Sequence, residues 1–431
     1  MSGDSPLPLN ERRKEQGVAP AEAGPTPCVD QDGRAVRRGI VRDASLSAVL
    51  AGLVAVVVSC SGPLVIVLAA AEAGRLSTAQ TTSWVWAACI GSGVTCAALS
   101  WCTRTPVITA FSTPGAAVLV GSLGAYSYSE AIGAFLVAGL VMALIGVTGV
   151  FGWAMRRVPP GVVAGMLAGV LFSFGAGVFS ALDSIPLPVL ASVITYFAVK
   201  RRSARYAVAC ALLAAVLVTA ARPGIDVTVT DIGPAVPLLT APDFSIRAMV
   251  GIAVPLTVVT MASQNAPGLA VLTTFGYRPD DRMLIGVTGL VTAVFAPSGG
   301  HAINLAAITA AICTGKEAHP DPRRRYVAGV ACGFFYLVTG TCGAALVGVF
   351  TALPANLVAV IAGVALLGAF STSLAQAVAD EPGRDAAVVA FLTTASGVTL
   401  GGIGSACWGL LLGLATHTTL TLSRRARASG D

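Results

Sequence analysis

The chain has 431 residues, of which 55% are hydrophobic and only 11% charged, and its mean hydropathy is +0.80. Globular chains carry about a quarter charged residues, so this sequence lacks the polar shell that a soluble core of its size requires. A net charge of +6 spread this thinly excludes a nucleic-acid-binding reading, and collagen-like and disordered readings fail on the same arithmetic.

The composition reads as an all-α polytopic membrane protein, with 48 glycines suited to close helix packing in lipid. Residues 1–43 are rich in Pro, Gly and charge and read as a disordered cytoplasmic tail. No secretory signal is expected ahead of the first span. Stretches free of Asp, Glu, Lys and Arg then run 44–71, 76–103, 105–129, 131–155, 158–182, 184–199, 206–221, 248–277, 283–315, 326–379 and 386–423. A spanning helix needs about 20 apolar residues, so the first eight hold one span each and the last three hold two. Fourteen spans are expected, or twelve if two of them are half-spans.

With a cytoplasmic amino terminus, fourteen spans put 24 of the 27 basic residues on the cytoplasmic side and leave Arg75, Arg222 and Arg247 outside. The positive-inside rule predicts that asymmetry. Both termini are therefore expected in the cytoplasm of a cell with this protein in its membrane, the last being a basic tail at 424–431. The Pro-rich segment 222–246 is the longest interior break. It separates a first half, 44–221, from a second, 247–423, with seven spans in each.

Ten cysteines lie nearly all in apolar spans, with no C-x-x-C pair and no His at metal spacing. They read as small packing residues, and no metal or other cofactor is expected. Local echoes link the halves: Pro160 with Pro354, Ser59…Pro63 with Ser263…Pro267, and Phe111…Gly115 with Phe295…Gly299. Their offsets of 194, 204 and 184 agree near 190–200. An odd number of spans per half makes this an inverted repeat. In transporters built so, substrate binds near the midplane at discontinuous helices in corresponding places.

Two interrupted segments meet that description. In the third span, the β-branched run Val107–Phe111 favours extended backbone. Ser112 or Thr113 can cap a helix whose first residue is Pro114. The half-helix would then present the N–H groups of Gly115 and Ala116 to a cavity. In the tenth span, Pro297, Ser298, Gly299, Gly300 and His301 suggest a second half-helix start. Two such ends, each with about half a positive charge and unpaired donors, make an anion site. Irregular backbone at this depth survives only where it lines a cavity or is buried in protein.

In the eighth span, Ser263, Gln264 and Asn265 are consecutive polar residues, costly in lipid unless paired or facing a cavity. They are open to two uses, contact with a substrate's polar group or bridging of two helices. No Lys or Arg lies deep in a span, so an anion would be held by backbone dipoles and neutral side chains. Of the titratable residues, His301 alone lies in the expected pocket. A helix N-terminus would keep it neutral, and a bound anion would favour its charged form. It reads either as a proton carrier or as a neutral histidine satisfied by hydrogen bonds. Glu130 and Asp183 are alternative proton carriers or charges marking membrane boundaries.

The runs Thr109–Ala117, Val259–Gly268, Ala306–Ile312 with Glu317–Pro320, Arg384–Phe391 and Gly402–Ala406 resemble the BenE family. The resemblance covers roughly residues 40–425, and Gln264-Asn265-Ala266-Pro267-Gly268 is its most specific run. It implies benzoate uptake driven by a proton gradient. It also implies membership of the clan of nucleobase transporters and anion exchangers, with seven-plus-seven inverted repeats split into core and gate domains. That clan often carries a carboxylate in the eighth or tenth span, where this chain has Gln264, Asn265 and His301.

The reading is therefore a secondary transporter moving an aromatic monocarboxylate with protons by alternating access. A nucleobase/proton symporter and an anion channel of the same architecture are the alternatives. No catalytic cluster or H-E-x-x-H motif is present, so the chain is not read as an enzyme. The expected partners are a small aromatic carboxylate, the proton and the lipid bilayer, with no nucleic acid, and the chain is open to forming a homodimer.

Overall fold

The structure is a computed structural model that describes residues 40–221, 233–351, 354–401 and 403–428. The expectations for residues 1–39, 222–232 and 429–431 lie outside the described residues. Local signals open most helices. Ser45 caps α1 (Leu46–Ser61) by accepting from Ala48 N–H, and Gly62-Pro63 separates it from α2 (Pro63–Ala73). A Ser77–Gln80 capping box opens α3 (Thr78–Thr103), and a Ser127–Glu130 box opens α5 (Tyr128–Thr148). Between them lie the strand β1 (Thr109–Phe111) and the short helix α4 (Thr113–Ser122). Pro160 and Pro186 stand in the first turns of α6 (Pro160–Ser180) and α7 (Pro186–Lys200), where a missing N–H costs nothing. Helix α8 (Ala204–Ala220) completes the first half.

The second half also places a strand and a short helix between longer helices. It runs α9 (Ile246–Thr274), α10 (Asp281–Phe295), strand β2 (Ile303–Leu305) and short helix α11 (Ile308–Thr314). Then follow α12 (Tyr326–Thr341), α13 (Gly343–Thr351), α14 (Ala355–Ala379), α15 (Arg384–Ala395) and α16 (Ser405–Ala428). Among the described residues, six helices are long and apolar enough to cross a bilayer, and a seventh joins them if the pair bent by 65° at α12–α13 is one span. Others, such as α7 and the stretch Thr113–Ala125, are apolar but short.

Two groups of helices emerge. In one, α3 packs along α12 and α5 along α10, with α1 against α11 and α12 and α2 against α4. In the other, α6 packs on α14 and α15, α7 on α8 and α14, and α15 on α16. The first group is not purely helical, which corrects the all-α expectation. Strands β1 and β2 pair antiparallel at its centre, with Ala110 opposite Asn304, 194 positions away. The pairing continues at both ends, where Ser112 N–H donates to the Ala302 carbonyl and Ala306 N–H to that of Ile108, each at 2.9 Å. Three-residue strands suffice because every backbone group in a dry interior must be paired.

The last residues of the expected tail are also ordered. Ile40–Asp43 form a helical turn, and buried Asp43 accepts from the Tyr326 hydroxyl at 2.9 Å. Arg325, beside it, is buried although no carboxylate is bonded to it. Its guanidinium donates to the carbonyls of Thr314, His319 and Pro320 at 2.8, 2.7 and 3.3 Å. Thr314 is the last residue of α11, so Arg325 closes an end that would otherwise leave acceptors unmet. Arg325→Met is expected to lower stability by about 3 kcal/mol, read as a fall in the thermal unfolding temperature of the detergent-purified protein. Arg325→Lys should recover only part of it, since one ammonium lacks the fork that reaches three carbonyls.

Candidate functional site

The site is built where β1 and β2 hand over to their helices. On the first side the outcome follows the local code. Ser112 caps α4, its Oγ accepting from Gly115 N–H at 3.0 Å while its carbonyl accepts from Ala116 N–H at 2.8 Å. The N–H groups of Gly115 and Ala116 are thus engaged within the cap rather than presented to a cavity, a correction to the expectation. Gly115 is also required by packing, because a Cβ there would lie 2.6 Å from Leu256 Cδ1 of α9. Thr113 is half-buried at the same end.

On the second side the expected start is wrong. Pro297 and Ser298 belong to a 3-10 turn (Ala296–Ser298), and Gly299 turns left-handed at φ 99°. Gly300 and His301 then lead into β2, and α11 begins only at Ile308. Its preceding residue, Ala307, offers no side-chain cap. The two half-helices therefore differ: α4 starts capped and α11 starts uncapped.

Helix α9 runs past both starts and connects them. Thr260 Oγ1 donates to Ser112 Oγ at 3.1 Å. Asn265 Oδ1 accepts from Leu305 N–H of β2 at 2.9 Å, and its amide nitrogen donates to Met261 Sδ at 3.5 Å. Asn265 thus bridges helix and strand, the second of its two sequence readings. Residues Met261–Asn265 form a π-helical turn, a distortion frequent at functional sites. Gln264 lies in that turn between the two contacts. It is half-buried and, among the described residues, makes no hydrogen bond within the protein.

His301 sits behind the strands, fully buried. Trp84 Nε1–H donates to His301 Nδ1 at 3.0 Å, and His301 Nε2 lies 3.0 Å from the Ser112 carbonyl. Indole N–H only donates and a carbonyl only accepts, so His301 is the neutral imidazole protonated at Nε2. The ring ties α3 to the cap of α4. Ser298 joins the same brace through its carbonyl, which accepts from Ser83 Oγ of α3 at 2.9 Å. Glu130 is a capping-box residue accepting from Ser127 N–H at 2.8 Å, and Asp183 is exposed in the turn after α6. Neither carboxylate is brought to the strand crossing.

Thr260 and Trp84 were not singled out from sequence, because their partners lie 148 and 217 positions away. Ser112→Ala removes an N-cap and the acceptor for Thr260 together. It is expected to cost about 1–2 kcal/mol, measured as a lower unfolding temperature.

A cavity of about 400 Å³ opens where the two helix groups face each other. Val118 and Gly121 of α4, Val170 and Phe174 of α6, Ala359 of α14 and Ala406 of α16 line it. None of the site residues expected from sequence lines it, but it begins one turn along α4 from the Ser112 cap.

The described residues form two helix groups with paired interrupted segments inside one, and the family comparison makes the chain a membrane transport protein and not an enzyme. The profile of the benzoate membrane transport protein family, BenE, matches residues 42–419, and the chain belongs to that family. It is 43% identical over 375 residues to the inner membrane protein YdcO of Escherichia coli (strain K12), covering 86% of this chain and 95% of that one. It is 39% identical over 379 residues to the benzoate membrane transport protein of Acinetobacter baylyi, covering 88% and 96%. In fold it is similar to SLC26A9, with a TM-score of 0.59 at 15% identity over 89% of this chain and 66% of that one. It is also similar to the transmembrane domain of the cyanobacterial bicarbonate transporter BicA, with a TM-score of 0.54 at 14% identity over 89% and 98%.

Proposed function

We propose that the protein imports benzoate or a closely similar aromatic monocarboxylate together with a proton, by alternating access. The observation that carries this reading is Gln264. Among the described residues this primary amide has no hydrogen-bond partner, and it lies in the π turn that packs on β2, in a chain of the benzoate transport family. Polar groups in an apolar span are costly unless they are paired or face a cavity, so this half-buried, unengaged amide suits a ligand's carboxyl group. Thr113 and the backbone around Gly115 and Ala116 form the facing wall. His301, Ser298, Gly299 and Gly300 hold that wall in place from behind.

A seven-plus-seven inverted repeat suits the geometry. The strand crossing, the Pro160/Pro354 pair and the starts of α6 and α14 share an offset of 194 or 195. The first helix group then acts as the core and the second as the gate, with both termini cytoplasmic. The apolar cavity between them suits an aromatic ring on its way to the site. Gly121 has no heavy atom within 4 Å of where a Cβ would stand. Gly121→Phe is thus expected to slow uptake by about tenfold or more with thermal stability unchanged.

The deciding experiment is uptake of labelled benzoate into proteoliposomes under an imposed pH gradient, corrected for protein-free vesicles. Saturable uptake that collapses with an uncoupler is expected. Uncoupled, non-saturating conductance would instead identify an anion channel.

A further inference from the structure

This inference rests on the transport reading just given and asks where the coupled proton resides. The stretches 105–129, 248–277 and 283–315 contain both strands, both half-helices and nearly all of α9, and they hold no Lys, Arg, Asp or Glu. A carboxylate entering this interior meets no counter-ion. An unpaired carboxylate there loses more hydration than neutral dipoles return, and it takes up a proton rather than remain charged.

The protein offers no evident alternative carrier. His301 has both ring nitrogens engaged, and protonating Nδ1 would expel the Trp84 indole. The other titratable groups around the crossing are thiols and phenols: Cys96 of α3, Tyr128 of α5, Cys313 of α11, and Cys332 and Tyr336 of α12. Thiols and phenols ordinarily ionise above neutral pH. The facing gate helices α6 and α14 carry no titratable residue, and α16, which packs on α9, carries Cys407 and, ten residues further on, His417.

Gln264 fits the protonated form. A primary amide presents one acceptor and a pair of donors side by side. A carboxylate offers acceptors only, so Gln264 Oε1 would face it unmatched. A carboxylic acid offers one donor and one acceptor at the same spacing, and it pairs with the amide through two hydrogen bonds in one ring. We infer that Gln264 receives the aromatic acid in its protonated form, so that the coupled proton travels on the substrate's own carboxyl oxygen. Benzoate and one proton combine to benzoic acid on binding, and the O–H bond breaks again on release. No net charge crosses the membrane, and the ratio of one proton to one acid follows from the identity of the cargo.

Calorimetric titration of the detergent-purified protein with benzoate, in buffers of different ionisation enthalpy, counts protons bound per ligand. One proton per benzoate is expected at pH 7 in the wild type. The count should persist in His301→Gln, with weaker affinity because the brace behind Ser112 is loosened. The apparent Kd for total benzoate should rise about tenfold per pH unit above the acid's own ionisation range, with no break where histidine titrates. Benzenesulfonate, ionised throughout, leaves Gln264 Oε1 unmatched and brings in a charge with no counter-ion, so it should bind at least about 100-fold more weakly. Uptake at a fixed pH gradient should not respond to an imposed potassium diffusion potential.

Binding without proton uptake, a count that falls to zero in His301→Gln, or a sulfonate that binds as tightly as benzoate overturns the inference. If His301→Gln does not fold, the sulfonate comparison and the wild-type pH profile decide. A wild type that binds no benzoate would instead refute the transport reading itself.

Discussion

Gln264→Leu is expected to weaken benzoate binding by about 100-fold while leaving the protein as stable as the wild type. Two hydrogen bonds to a buried ligand group contribute about 1–1.5 kcal/mol each, and about 3 kcal/mol corresponds to two decades in Kd. Stability is spared because Gln264 has no hydrogen bond within the protein to lose. The neighbouring position behaves in the opposite way. Asn265 accepts from Leu305 N–H of β2, so Asn265→Leu leaves a buried backbone donor unmet and lowers the unfolding temperature. Titration calorimetry and thermal unfolding on the two variants separate these effects. Unchanged benzoate affinity in Gln264→Leu would remove the amide from the site.

Gly299→Val is expected to destabilise the fold by about 4 kcal/mol or more. Part of that is backbone, since a β-branched residue at φ 99° is strained by about 1–3 kcal/mol. The rest is steric. A Cβ at Gly299 would stand 2.6 Å from the Tyr128 hydroxyl and 2.9 Å from Trp84 Cα, which is backbone and cannot swing away. Gly276 isolates the two contributions, because it has φ 84° and no heavy atom within 4 Å of a Cβ. Gly276→Val should show only the backbone share. The difference between their unfolding temperatures measures the packing share. The same displacement moves Trp84 off His301, so surviving Gly299→Val protein should also bind benzoate poorly.

The sequence was most informative where structure is local. Ser112 and Pro114 encode the start of α4 within three residues, and the extended run before them became β1 at Thr109–Phe111. The second half-helix was misplaced because Pro297, Ser298 and two glycines imitate a helix start, whereas the true one at Ile308 follows an alanine without capping chemistry. Gln264 and Asn265 were recognised in the sequence as adjacent polar residues of an apolar stretch. Their division of labour was not, since it depends on a π turn and on a strand 40 positions away. His301 was flagged for its chemistry, and its role as a brace became visible only with Trp84 and Ser112 in place.

The two-stranded ribbon also has a consequence for biosynthesis. Each half of the chain contributes one strand, so the edge of Thr109–Phe111 has no partner until Ile303–Leu305 has been made. Nearly two hundred residues enter the membrane in that interval, and in lipid an open edge cannot turn to water for its hydrogen bonds. The first half is therefore not an independent folding unit, even though its helices can insert one by one. Produced alone it should be captured by quality-control proteases, and produced alongside a separately encoded second half it should be rescued. Neither strand can pair its backbone until the other has been made.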